Sequence, residues 1–206
     1  MIRAWLSPKV RATTRWLNRH APGVARALRP AWWALDTRLR LTDYWGRRKH
    51  FRYYAEVARL ARDHMPSGGS VLDVGAADTE VLGRLDWFRR RVALDRRPAR
   101  PRPGVERVVA DFMDYQPPGR FDLVLCLQVL EHLAQPEAFT RKLLLTGRHV
   151  IISVPYRWPA GLQPNHVQDP VDEAKLRGWA GRAPVETSVV LNGRDRLIAV
   201  FRGTPD

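Results

Sequence analysis

The sequence has one cysteine, Cys126, in 206 residues, so no internal disulfide can form and a reducing compartment is expected. Long apolar runs are missing as well. No window approaches the roughly 20 uninterrupted apolar residues of a membrane-spanning helix, and the start MIRAWLSPKVRATTRW lacks the apolar centre of a signal peptide. A cytoplasmic location follows as the expectation. Glycine is scarce where it would say most. The stretch VLDVGAADTEVL, Val71 to Leu82, reads as a strand, a turn and a helix starting near Thr79, yet it holds only Gly75. A loop that cradles a pyrophosphate needs bare backbone at two or three positions, and here Ala77 and Thr79 stand where the later glycines would be. Hydride transfer with a dinucleotide is disfavoured. No Gly-Lys-Ser/Thr follows, which excludes a P-loop.

Acidic residues are few, and their shortage is local. The net charge is +14, but residues 1–60 hold fourteen Lys/Arg against three acids, so the rest of the chain is nearly balanced. The same segment carries Trp5, Trp16, Trp32, Trp33 and Trp45 among its arginines. Aromatic and basic residues together suit a membrane surface or a polyanion; an amphipathic cover with snorkelling arginines is the plainer reading. A peripheral membrane contact through residues 1–40 ranks ahead of nucleic acid.

What is present is a regular alternation. Pro8, Pro22 and Pro30 break the first forty residues into short helical pieces, a basic Trp-rich extension over 1–41 ahead of one domain over 42–206. Helical spacing of Phe51, Tyr54, Ala55, Ala58, Ala61 and Met65 predicts a helix from about Thr42 to Met65, stopped by PSGG. Strands follow at Val71–Val74, Arg91–Leu94, Val105–Ala110, Phe121–Leu127 and His149–Val154, with helical segments between them, above all Leu127–Leu145. Val185–Leu191 and Arg196–Phe201 flank an Asn-Gly pair, a hairpin signal that makes the last strand antiparallel. The fold class is α/β, a doubly wound, seven-stranded and mostly parallel sheet with helices on both faces.

In such a sheet the ligand lies across the carboxyl ends of the strands, where Gly75, Asp95, Asp111 and Gln128 fall. Asp95 stands 20 residues after Gly75, the separation at which an acid can accept from ribose hydroxyls; capping a helix is its alternative. Asp111 divides evenly between ligand and turn cap. Cys126 reads as a small core residue.

Four motifs in order, VLDVGAADTEVLGRL, RVALD, Asp111-Phe112 and FDLVLCLQVLEHL, resemble the class I S-adenosylmethionine-dependent methyltransferases over about residues 50–202. The likeness is to their type 11-like, small-molecule branch with its Rossmann-like fold. It implies S-adenosyl-L-methionine as cofactor, held by Gly75, Ala77, Asp95, Asp111, Phe112 and Gln128, with Phe112 beside the adenine or else plain core. That cofactor has no phosphate, so Ala77 is tolerable if its φ stays negative; Asp78 meets the cofactor's ammonium or caps the helix. It also implies methyl transfer to a small-molecule or lipid- or sugar-linked acceptor at oxygen or nitrogen. An RNA acceptor held by the basic arm, or a binding module with a vestigial cleft, are the other readings. A hydroxyl acceptor needs a base, and the candidates are His132 and, in the loop Arg157–Asp169 that also carries Trp158, His166 and Asp169. Glu131 and His132 are expected on a helix, where successive side chains diverge by about 100°, so no metal is assigned to them and His166.

Overall fold

A computed structural model describes residues 20, 21, 23, 24, 45, 46, 48–98, 101–191 and 194–205. The chain forms two compact units, 1–48 and 49–206. The prolines and most tryptophans of the basic extension lie outside the described residues, as does the Asn192-Gly193 turn. Among the described residues no helix is long and apolar enough to cross a membrane.

The second unit opens with α1, Arg52–His64. Its buried stripe is Tyr53, Tyr54, Val57, Leu60 and Ala61, which differs from the expected set: Ala55 is exposed, and the larger side chains of Val57 and Leu60 take the core instead. Three fully buried side chains, Tyr54, Val57 and Leu60, contribute about 1.5–3 kcal/mol each by burial. The helix ends at Met65, whose N–H donates to the Ala61 carbonyl. Gly68 follows at φ +71°, where a Cβ would sit 2.3 Å from the Trp87 carbonyl oxygen; only glycine lets the chain pass there.

Then come β1 (Ser70–Val74), β2 (Arg90–Asp95), β3 (Glu106–Val109), β4 (Phe121–Leu127), α2 (Pro136–Thr146), β5 (Gly147–Pro155), α3 (Glu173–Ala180), β6 (Glu186–Val190) and β7 (Arg196–Arg202). They make one seven-stranded sheet in the order β3-β2-β1-β4-β5-β7-β6. Strands β1 to β5 run parallel, while β7 is antiparallel to both β5 and β6. The order reverses between β1 and β4, which makes their carboxyl ends the topological switch point where ligands bind.

Alternation along the buried strands splits the core. Leu72, Val74, Val124, Cys126, Val150 and Ile152 join Phe139 and Leu143 of α2 and Leu176 and Trp179 of α3 in one cluster; the intervening residues face the other side of the sheet, where α1 meets β5, β6 and β7. Cys126 is fully buried, and burial raises its thiol pKa well above the ordinary range, in keeping with a core role. The helices are fewer than the alternation implies. Among the described residues no α-helix joins β1 to β2, β2 to β3 or β3 to β4. The segment after β1 closes with a 3-10 turn, Val81–Arg84, that has no side-chain cap. Gly83 at its centre and a link of only 15 residues to β2 leave little to sustain a longer helix.

Candidate active site

The turn after β1 is held more tightly than its composition suggests. Gly75 has φ +75°, and a Cβ there would lie 2.6 Å from Cγ2 of Val129, so glycine is required both by conformation and by the segment after β4 packing over it. The N–H groups of Gly75 and Ala76 both donate to the Leu94 carbonyl, at 2.8 and 3.2 Å. Ala77 departs from expectation: its φ is +46°, not negative, a left-handed conformation that costs a non-glycine residue about 1–2 kcal/mol. Its N–H donates to Oδ2 of Asp95 at 2.9 Å, and that bond holds the residue there. Thr79 closes the turn on the Ala76 carbonyl through its N–H and its hydroxyl, each at 3.0 Å. The helix expected from Thr79 is absent and, among the described residues, no helix lies between β2 and β3, so neither Asp78 nor Asp95 caps one. The Asp78 carbonyl instead accepts from Arg102 at 2.9 Å.

Asp95 ends β2 and ties it to this turn, its other oxygen accepting the Arg97 N–H at 2.9 Å. Each carboxylate oxygen keeps a lone pair for a further donor. Asp111 uses Oδ1 to accept the Met113 N–H at 2.9 Å, the turn-capping alternative, and stands 3.9 Å from Arg96. Phe112 is 3% exposed and packs on Phe139 with centroids 4.9 Å apart; its ring belongs to the core and presents no open face. Beneath the turn, Asp73 is buried. Burial, together with the charge of Asp95, pushes its carboxyl up to about 7.

At the end of β4, Gln128 turns the chain at φ +59°. Its N–H donates to the Ser153 carbonyl at 2.8 Å and its amide to the Ser153 hydroxyl at 3.1 Å. The expected helix at 131–132 is a 3-10 turn, Leu130–His132, and the two side chains nevertheless reach one another. Glu131 Oε1 and His132 Nε2 stand 3.9 Å apart. Glu131 is 1% exposed and its Oε2 has no hydrogen-bond partner; burial raises its pKa to about 8.

The loop after β5 folds back onto this turn. Arg157 N–H to Val171 carbonyl, 2.8 Å, closes its ends, and Val167 N–H to Glu131 carbonyl, 2.9 Å, pins its middle. The Gln168 side chain adds a bond to the Leu133 carbonyl at 2.8 Å. His166 is thereby brought to His132, ring centroids 4.8 Å apart and edge to face, and stacks on Trp158 at 5.7 Å. Nδ1 of His166 meets Oδ2 of Asp169 at 2.7 Å, and Nδ1 of His132 meets the Asn165 carbonyl at 3.0 Å. A carboxylate and a carbonyl only accept, so both Nδ1 atoms carry a proton. Burial lowers the pKa of His132 and keeps its ring neutral.

His132, His166 and Asp169 are therefore assembled together, while Gly75, Ala77 and Asp95 form a second group joined to the first through Val129. Asp111 closes a turn past β3, and Phe112 is withdrawn into the core. Sequence reasoning did not select Asp73, although the first motif contains it, and set Glu131 aside. The burial of each was signalled by its place among apolar neighbours, VLDV and VLEHL.

Residues 44–189 match the family model described as a methyltransferase domain. No curated protein matches the chain. Among solved structures, 1,6-didemethyltoxoflavin-N1-methyltransferase from Burkholderia thailandensis, with its substrate and S-adenosylhomocysteine bound, is 18% identical with a TM-score of 0.63, covering 90% of this chain and 91% of its own. The N-methyltransferase NodS from Bradyrhizobium japonicum, also with S-adenosylhomocysteine, is 15% identical with a TM-score of 0.61, covering 75% and 87%. Magnesium protoporphyrin IX methyltransferase from Synechocystis is 18% identical with a TM-score of 0.57, covering 75% and 83%. At these identities the likeness is one of fold, and it agrees with the strand order and the switch point. The family match spans well over half of the chain, so the protein belongs to the class I S-adenosylmethionine-dependent methyltransferase family.

Proposed function

We propose that this chain transfers the methyl group of S-adenosylmethionine to a small-molecule or lipid- or sugar-linked acceptor, at oxygen or nitrogen. One observation carries the reading. The bare turn at Gly75, closed on Asp95, lies next to a histidine pair whose Nδ1 atoms are both held by acceptors, and Val129 is the only residue between Gln128 and the Leu130–His132 turn. The residues fit the cofactor: Asp95 ends β2 at the switch point, and its remaining lone pairs suit ribose hydroxyls. When bound, S-adenosylmethionine supplies a methyl activated by a positive sulfur. Gly75 and Asp95 then serve binding and orientation, and positioning accounts for most of the acceleration. His166, oriented by Asp169, is placed to take a proton from a hydroxyl acceptor at Nε2, with His132 beside it. Two of the similar structures act on ring compounds of low mass by their names, which supports the small-molecule class.

A basic extension over 1–41 ahead of a catalytic domain over 42–206, and a cytoplasmic enzyme touching a membrane surface through that extension, belong to the same proposal. A second reading has its own observation. The N–H groups of Gly75, Ala76 and Ala77 are already donated within the protein, which suits a methyltransferase-like binding module with a vestigial cleft. Calorimetric titration separates the two: the enzyme binds S-adenosylmethionine, and Asp95→Ala weakens that binding at least about tenfold, the scale of one charge-assisted hydrogen bond. No binding at millimolar ligand by the folded protein would leave the binding module standing.

A further inference from the structure

Glu131, His132 and His166 each offer one ligating atom within 4.8 Å of the other two. Nδ1 of each histidine meets an acceptor, the Asn165 carbonyl at His132 and the Asp169 carboxylate at His166, and a carboxylate or carbonyl behind a ligating imidazole is the usual support of a metal ligand. Glu131 adds a carboxylate oxygen that is buried and unpartnered, which a bound cation would satisfy. Arg196 is near enough to act on Glu131 electrostatically, but its guanidinium donates to the Arg194 and Asp195 carbonyls and lies over Trp158 at 4.4 Å. Trp158 stacks on His166 in turn, which holds the His166 ring.

We infer that Glu131, His132 and His166 bind a divalent transition-metal ion. Two imidazoles and one carboxylate suit zinc, iron, cobalt or manganese rather than magnesium or calcium, which prefer oxygen. Three protein ligands leave at least one coordination position open. Resting on the methyl-transfer reading, the inference also narrows the acceptor: an oxygen bound at the open position ionises more readily at neutral pH. The acceptor class is then a hydroxyl whose proton leaves to solvent as the oxygen coordinates; with the ion bound, His132 and His166 serve as ligands, and the ion takes over the activation that the ion-free reading gives to His166 as base.

Titration of the full chain with Co2+, followed by visible absorption, tests the site. One equivalent should produce the intense bands of a four- or five-coordinate ion, displaced by Zn2+. Asp169→Asn should weaken affinity about 10- to 100-fold, and Glu131→Gln, nearly isosteric, should weaken it further with the circular dichroism unchanged. His132→Ala, at a half-exposed position, should do the same where a buried substitution fails to fold. A spectrum no different from that of the free ion, or an affinity indifferent to Glu131→Gln and His132→Ala, overturns the inference. Calorimetry with S-adenosylmethionine on the same protein keeps the two readings apart. Cofactor binding without Co2+ binding removes the metal site alone; Co2+ binding without cofactor binding keeps the site and removes its role in methyl transfer.

Discussion

Ala77 is the residue at which sequence and conformation disagree most. Its methyl occupies a left-handed position that the glycine of the resembling motif would fill without strain. Replacing it should therefore help. Ala77→Gly relieves about 1–2 kcal/mol of conformational cost against roughly 0.4–1 kcal/mol of added unfolded-state freedom. The expected gain is about 1 kcal/mol or less, seen as a rise in Tm, with cofactor affinity unchanged or improved. Asp73 gives a pH signature. An acid raised from 3.8 to about 7 on folding binds more protons folded than unfolded between those values, so stability falls as pH rises across that window and levels off above it. The penalty is absent below the unfolded pKa. Asp73→Asn should flatten the dependence, removing a slope worth on the order of a few kcal/mol in chemical denaturation from pH 4 to 8. Composition does not display either residue. The residue types of Gly75 and Asp95 and their spacing were legible, because one backbone conformation and one strand length demand them; a positive φ on an alanine was not, since it depends on where Asp95 reaches.

The elements were legible where hydrophobic pattern alone decides them. Strand β4 has the bounds expected from FDLVLCL, and β1, β2, β5, β6 and β7 differ by a residue or two at their ends. What escaped was the tightness of the links. Runs such as QVLEHL fit a helix by period, yet a left-handed Gln128 and the Val167 bond to the Glu131 carbonyl hold a 3-10 turn there. Helix α3 was not anticipated, though its ends are well marked: Asp172 accepts the Lys175 N–H, and Gly181 closes it at φ +66°. Lys175 of this helix also donates to the Gln168 carbonyl, so α3 anchors the loop that carries His166. Asp172→Ala should cost about 1 kcal/mol, measured by urea denaturation, and should raise exchange of the Val167 and His166 amides more than that of β4.

At the scale of the whole molecule, the charge division noted in the sequence has a direct test. With the excess concentrated in residues 1–60, the full chain should co-sediment with anionic vesicles and lose most of that binding on removal of residues 1–40 or in half-molar salt, where screening falls to a few ångströms. Binding that survives truncation would place the contact on the catalytic domain. The charged face of β3 fits its position: Glu106 and Arg107 are exposed at one edge of the sheet, with Arg90 paired to Glu106 at 3.0 Å, a common guard against edge-to-edge pairing.

The strand order also sets a sequence of events. Strand β6 is joined to the sheet only through β7, and β7 is registered on β5, pairing residues about fifty positions apart, such as His149 with Arg202. The strand that is made later must therefore dock on β5 before the earlier one can join the sheet. Closing so long a loop is slow, and until it happens β5 offers an open edge and β6 can join the sheet only as part of a hairpin with β7. Assembly of this half of the sheet waits on a single late step, and the open β5 edge is where the protein is most exposed to mispairing on the way to its folded state.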